Sequence, residues 1–198
     1  MQIIWYGAHC FKLISPEVTI LTDPFSPAKL GFKNPRITSE IVIFSSSQQE
    51  EKKISSEAFI LSTPGEVGIK DVFIYGFPHL EGKNPKTIFK LNIEDLKICF
   101  LGEITEALAD EEVEKLGEID ILILPISKNT LSFKKALEIV KEIEPTLIIP
   151  QYGKDKNEIS EFVKELGKKN LEEVDKLKIK KKDLVDDKTE IIILKPNL

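Results

Sequence analysis

Short apolar segments rich in β-branched and aromatic residues fill the first half of the chain: MQIIWYG, HCFKLIS, VTILTDP, IVIF, AFILS, VFIYGF, TIFKLNI and KICFLG. Each suits a strand and is too short for an ordinary globular helix. Breaks fall at Gly7 and Ser15–Pro16. Turn signals stand at Pro64–Gly65, Asn84–Pro85 and Glu94–Asp95, and Gly65-Glu66-Val67-Gly68 reads as a turn. The stretch FSPAKLGFKNPR, with its Pro, Gly and Lys, is a loop. After Gly102 the period changes. ITEALADEEVEKLG places Ile104, Leu108, Val113 and Leu116 at helical spacing, with Thr105 as N-cap. IDILILP is a buried strand. LSFKKALEIVKEIE is an amphipathic helix entered from Asn129–Thr130 and stopped before Pro145. A strand, TLIIP, and a helix, NEISEFVKELGKK, follow. LEEVDKL reads as a short helical stretch before the last strand, TEIIILKP. Strands first, then alternating helix and strand, predict a layered α/β or α+β fold. No composition break marks a linker, so one domain spans 1–198.

Charge narrows the function classes. The net charge is -5. General nucleic-acid binding needs basic surface to neutralise phosphates, so an acidic chain argues against it. The basic run Lys176 to Lys182 reads as a solvated face. No apolar run approaches the roughly 20 residues of a membrane span. The opening MQIIWYG lacks the pattern of a signal peptide. Cys10 and Cys99 lie inside apolar runs and form no spaced cluster, which suits buried thiols in a reducing compartment, the cytoplasm.

The polar residues offer little ready-made chemistry. The only histidines are His9 and His79. His9 falls in a predicted strand beside Cys10, whose side chain would point to the opposite face, so a structural role is favoured for it. His79, in GFPHLEG at a strand-to-loop junction, is the better site candidate. Asp23, Glu103, Glu50 and Glu51 stand at strand ends. If those ends converge, they could form an oxygen-rich cleft for a hard cation. Ser45 to Ser47 lack a nearby histidine and a G-x-S-x-G elbow. Neither a Walker loop nor a G-x-G-x-x-G appears.

Several segments occur in a telling order: Gly7-Ala8-His9-Cys10-Phe11, Thr22 to Phe25, Pro64 to Ile69, Asp120 to Pro125, and Glu144-Pro145 through Ile149-Pro150. Together they resemble the metallo-β-lactamase-fold superfamily, in particular the small metal-dependent hydrolases related to ascorbate-6-phosphate lactonase. The resemblance runs from Met1 to about Pro196 and implies a four-layer αββα sandwich. It also implies two zinc ions, or similar metals, held by an H-x-H-x-D-H motif after a strand like IVIF. Here Ser46 and Gln48 take the first two histidine positions, Glu50 the aspartate and Glu51 the last histidine. Gly102-Glu103 stands for the family's G-D pair. Tyr152 takes a further histidine place, or Gln151 if one residue is deleted. Ala8 occupies the opening histidine place, with His9 one position later.

Serine and glutamine are poor zinc ligands, so the resemblance implies a vestigial site of Ser46, Gln48, Glu50, Glu51, His79, Glu103 and Tyr152. His79 and Glu103 remain as metal candidates. The expected protein is a degenerate, non-catalytic binding or regulatory module with no metal cofactor. The alternative is a hydrolase of small phosphorylated or lactone-type substrates using Zn, Mn or Mg on a carboxylate-rich site. The partner is an unspecified small molecule or protein, with neither nucleic acid nor membrane expected and self-association left open.

Overall fold

Alternation of apolar side chains lets two sheets share one core. The computed structural model describes residues 1–24, 38–46, 57–153, 157–168, 171, 173–185 and 188–197. The first sheet contains β1 (Gln2–Trp5), β2 (Phe11–Ile14), β3 (Thr19–Thr22), β4 (Ile41–Ile43) and β5 (Phe59–Leu61), with β13 (Leu177–Lys178) added beside β1. The second contains β6 (Gly65–Ile69), β7 (Val72–Glu81), β8 (Asn84–Ile93), β9 (Leu96–Phe100), β10 (Ile121–Ile126), β11 (Leu147–Tyr152) and β14 (Glu190–Ile191), in the order β14-β11-β10-β9-β8-β7-β6. A small pair joins β12 (Glu173–Val174) to β15 (Ile193–Leu194). Within the first sheet β3, β4 and β5 are parallel. Within the second β9, β10, β11 and β14 are parallel.

β10 shows how the sequence makes layers. All six of its residues are buried. Ile121 and Ile123 face the core between the sheets, beside Trp5, Phe11, Ile43, Phe89 and Phe100. Leu122, Leu124 and Ile126 face the other way, into a core capped by helices. A strand buried on both faces has no polar alternation, which is why IDILILP reads as a continuous apolar run. The helices α1 (Asp110–Leu116), α2 (Phe133–Ile143) and α3 (Asn157–Glu165) all pack on this outer core. α2 buries Ala136, Ile139, Val140 and Ile143 on one stripe. The opposite outer face carries a third cluster, Cys10, Leu21, Val42 and Phe44. Among the described residues no helix covers it, so they form three of the four expected layers. Both cysteines are free and buried. No described helix is long and apolar enough to cross a membrane.

The structure departs from the sequence reading in several places. His9 lies in the turn between β1 and β2, and the strand begins only at Phe11. Gly7 and Ala8 have φ of 94° and 47°, a left-handed path that a continuous strand does not take. α1 starts at Asp110 and not near Thr105. The Glu81 carboxylate already accepts the amide hydrogens of Thr105 and Glu106, so those residues are held by β7 outside any helix. Gly65 to Gly68 lie in β6, paired with β7. The reversal read at Asn84–Pro85 occurs instead at Gly82, with φ of 56°. LEEVDKL contributes to β12 and β13: pairing with β15 and β1 overrides a weak local helix preference. α2 is capped by Ser132, whose Oγ accepts from the Lys135 amide, three residues beyond Asn129.

Candidate functional site at the strand ends

The parallel strands deliver their carboxyl ends to one region, where layered α/β folds commonly build sites. Asp23 follows β3, Ser45 and Ser46 follow β4, and Gly102 and Glu103 follow β9. Gln151 lies near the end of β11, and His9 arrives from the β1–β2 turn. The two sheets are stitched together at this point. The Thr87 amide donates to the Ser45 carbonyl at 2.8 Å, and Ser46 forms a β-bridge with Lys86.

Asp23 is buried and turned into the protein. One carboxylate oxygen accepts the Ser45 amide at 2.7 Å and the other accepts the Ser45 hydroxyl at 2.6 Å. Gly102 runs against the same serine. A Cβ built there would lie 2.2 Å from both Ser45 Cβ and Oγ, and its φ is 66°. Thus only glycine allows the chain after β9 to pass close enough to bring Glu103 to this junction.

Glu103 is met by a lysine. The Lys86 ammonium donates to Glu103 Oε1 and lies 3.4 Å from Ser46 Oγ. Side-chain exposure is 12% for Lys86 and 33% for Glu103. Burial alone would raise the Glu103 carboxyl. The hydrogen bond and charge of Lys86, with help from His9 and the Ser46 hydroxyl, outweigh burial and hold it below its ordinary value.

His9 is the third member. Its Nδ1 lies 2.6 Å from Gln151 Oε1. Burial lowers its imidazole below the usual histidine range. Gln151, the Glu103 charge and a hydrogen bond to the Gly102 backbone oppose that, whereas Lys86 reinforces it. The buried Gln151 Nε2 has no partner among the described residues.

The remaining sequence candidates are placed as follows. Gln48, Glu50 and Glu51 lie outside the described residues. His79 is the direct cross-strand partner of Lys86, but its ring bonds to other groups. Its Nδ1 meets the two Glu112 oxygens at 2.9 and 3.1 Å, and its Nε2 lies 3.4 Å from Glu81. The Glu112 contact fastens β7 to α1. The Tyr152 hydroxyl donates to the Leu194 carbonyl at 3.1 Å, and its ring packs on Trp5 at 4.7 Å. Gln151, at the neighbouring position, is therefore the residue that meets His9. Of the named candidates, Ser46 and Glu103 share contacts. Sequence reasoning passed over Lys86 and gave His9 a structural role. The signal for Lys86 was its strand position in NPKTIF, but its partner could not be read without the register between the sheets.

Residues 2–152 match the family described as the beta-lactamase superfamily domain. This chain belongs to the metallo-β-lactamase superfamily. It is 24% identical over 183 residues to a UPF0173 protein of Pyrococcus abyssi, covering 77% of this chain and 83% of that protein. Its fold is similar to a Thermotoga maritima protein described as a Zn-dependent hydrolase of the superfamily, with TM-score 0.83, 26% identity and coverage of 98% and 99% of the two chains. A Parabacteroides distasonis protein described as a metal-dependent hydrolase superposes with TM-score 0.70 at 16% identity, covering 98% and 93%.

The description of the Thermotoga maritima relative names zinc. Zinc takes imidazole nitrogen, thiolate or carboxylate, and catalytic sites keep a position for water. Among the described residues no group of three or more His, Cys, Asp or Glu is arranged to hold a metal. The reason is visible atom by atom. Glu103 is bonded by an ammonium, Asp23 is turned onto Ser45, His9 contacts Gln151, and Ser46 offers a neutral hydroxyl. Among the described residues this donor set does not fit a dinuclear centre.

Proposed function

We propose that this superfamily member is a non-catalytic binding module, in which the cleft at the strand ends recognises a small molecule or partner and does not activate water. The observation that carries the reading is the Lys86–Glu103 ion pair. The carboxylate best placed to bridge metals is already neutralised by a side chain of the same protein. A water nucleophile of low pKa needs the concentrated charge of a metal ion. The bonds that fix Lys86, His9 and Asp23 hold their side chains to the protein and supply no such charge.

The second reading, a hydrolase of small phosphorylated or lactone-type substrates on a carboxylate-rich site, draws on the partial exposure and ionisation of Glu103. One experiment separates the two. Protein purified after zinc and manganese supplementation is dialysed, its metal content measured, and phosphoesters and lactones offered with each divalent ion. The binding-module reading expects well under one metal per chain and no turnover above background. Near-stoichiometric retained metal with Glu103-dependent turnover would establish the hydrolase.

A further inference from the structure

Among the described groups at the strand ends, the Lys86 ammonium stands with two carboxylates, Glu103 and Asp23. Glu103 contributes one negative charge and Lys86 one positive charge, while burial favours neutral His9. Asp23 is held by Ser45 on both oxygens. Lys86 is not a wandering surface lysine. Its backbone is bridged to Ser46 where the sheets are stitched, and its side chain is largely covered. Its ammonium therefore lies beside Glu103 by construction, within the electrostatic reach of His9.

A divalent ion approaching Glu103 meets that fixed positive charge a few ångströms away. The mutual repulsion is strong where water is partly excluded. Yet once the ammonium is discounted the Glu103 carboxylate is an ordinary ligand for zinc or manganese, while Asp23 stays on Ser45 and His9 on Gln151. What keeps metal from this corner is thus a cation supplied by the chain in addition to the missing histidines.

We propose that Lys86 is a built-in counter-cation that takes the electrostatic place of a metal ion beside Glu103, and that its removal opens Glu103 to a divalent transition ion. The proposal rests on the reading that the native cleft holds no dinuclear metal. It adds a specific residue that enforces this state.

The test compares the native protein with Lys86→Met, Lys86→Gln, Lys86→Arg and the double variant Lys86→Met/Glu103→Gln. Zinc and manganese binding is measured by calorimetry with chelator competition, and melting temperature is followed with and without each ion. Circular dichroism identifies which neutral variant keeps the fold. In that variant, binding is expected to tighten by about tenfold or more, within the range that groups around a metal typically exert. The melting temperature should rise with added ion, because an ion that binds only the folded chain stabilises it. Lys86→Arg keeps the charge and should bind like the native protein. The double variant should lose the gain. The proposal is overturned if the folded neutral variant binds no more tightly than native, or if the gain survives loss of Glu103. Stoichiometric zinc on the native protein would overturn the binding-module reading as well, so the two failures are distinguishable.

Discussion

At the scale of single residues, the strand-end site is defined by what its side chains hold. Glu103 is kept below its ordinary value chiefly by Lys86 against the opposing effect of burial, and His9 is kept below the usual histidine range by burial. Both groups therefore bind a proton more readily in the unfolded chain. Stability from each is complete above its unfolded value and is lost as pH falls through the folded one. Urea denaturation should show stability beginning to fall below about pH 6.5, the ordinary histidine value, and falling further below about pH 4.5 as carboxylates titrate. His9→Gln should flatten the upper part of that slope. An equally steep slope in His9→Gln would show that His9 is not its source. The sequence made part of this legible. Ser46 and Glu103 could be placed at strand ends from their position after apolar runs. The contacts of His9 and Lys86 could not, because His9 reaches Gln151 from the β1–β2 turn and Lys86 meets Glu103 where the two sheets join. Such contacts depend on register and on a left-handed turn, which residue spacing does not encode.

At the scale of elements, the paths between strands decide which groups meet. Gly102 carries the chain past Ser45 with no room for a side chain and with φ of 66°. Gly102→Ala combines a left-handed penalty with a clash against buried atoms. It should destabilise the fold by about 2 kcal/mol or more, read as a lower denaturation midpoint at unchanged slope. A change within about 0.5 kcal/mol, the range of an ordinary surface substitution, would mean that the approach is not tight. The same logic explains which elements could be read in advance. Strands such as IVIF and TIFKLNI, and the helix over Phe133–Ile143, announce themselves through apolar period. β6 and β12 do not. GEVGI is mostly exposed and is a strand because it pairs with β7, and EV is a strand because it pairs with β15. α1 begins late because Glu81 takes the amides that would have opened it.

At the scale of the whole molecule, the shared core and the site are separable. The interior between the sheets is built from alternating apolar residues and includes none of the polar groups at the strand ends. That is how a chain can keep the metallo-β-lactamase fold and 26% identity to a protein described as a Zn-dependent hydrolase while placing an ammonium against Glu103. The central claim is that this ammonium stands where a metal ion would otherwise be needed. The most direct measurement is a crystal structure from zinc-soaked crystals with data collected at the zinc edge. The account predicts no anomalous peak within bonding distance of Glu103, and density for the Lys86 side chain running to its carboxylate. Two strong peaks in that place, with Lys86 turned away, would contradict it.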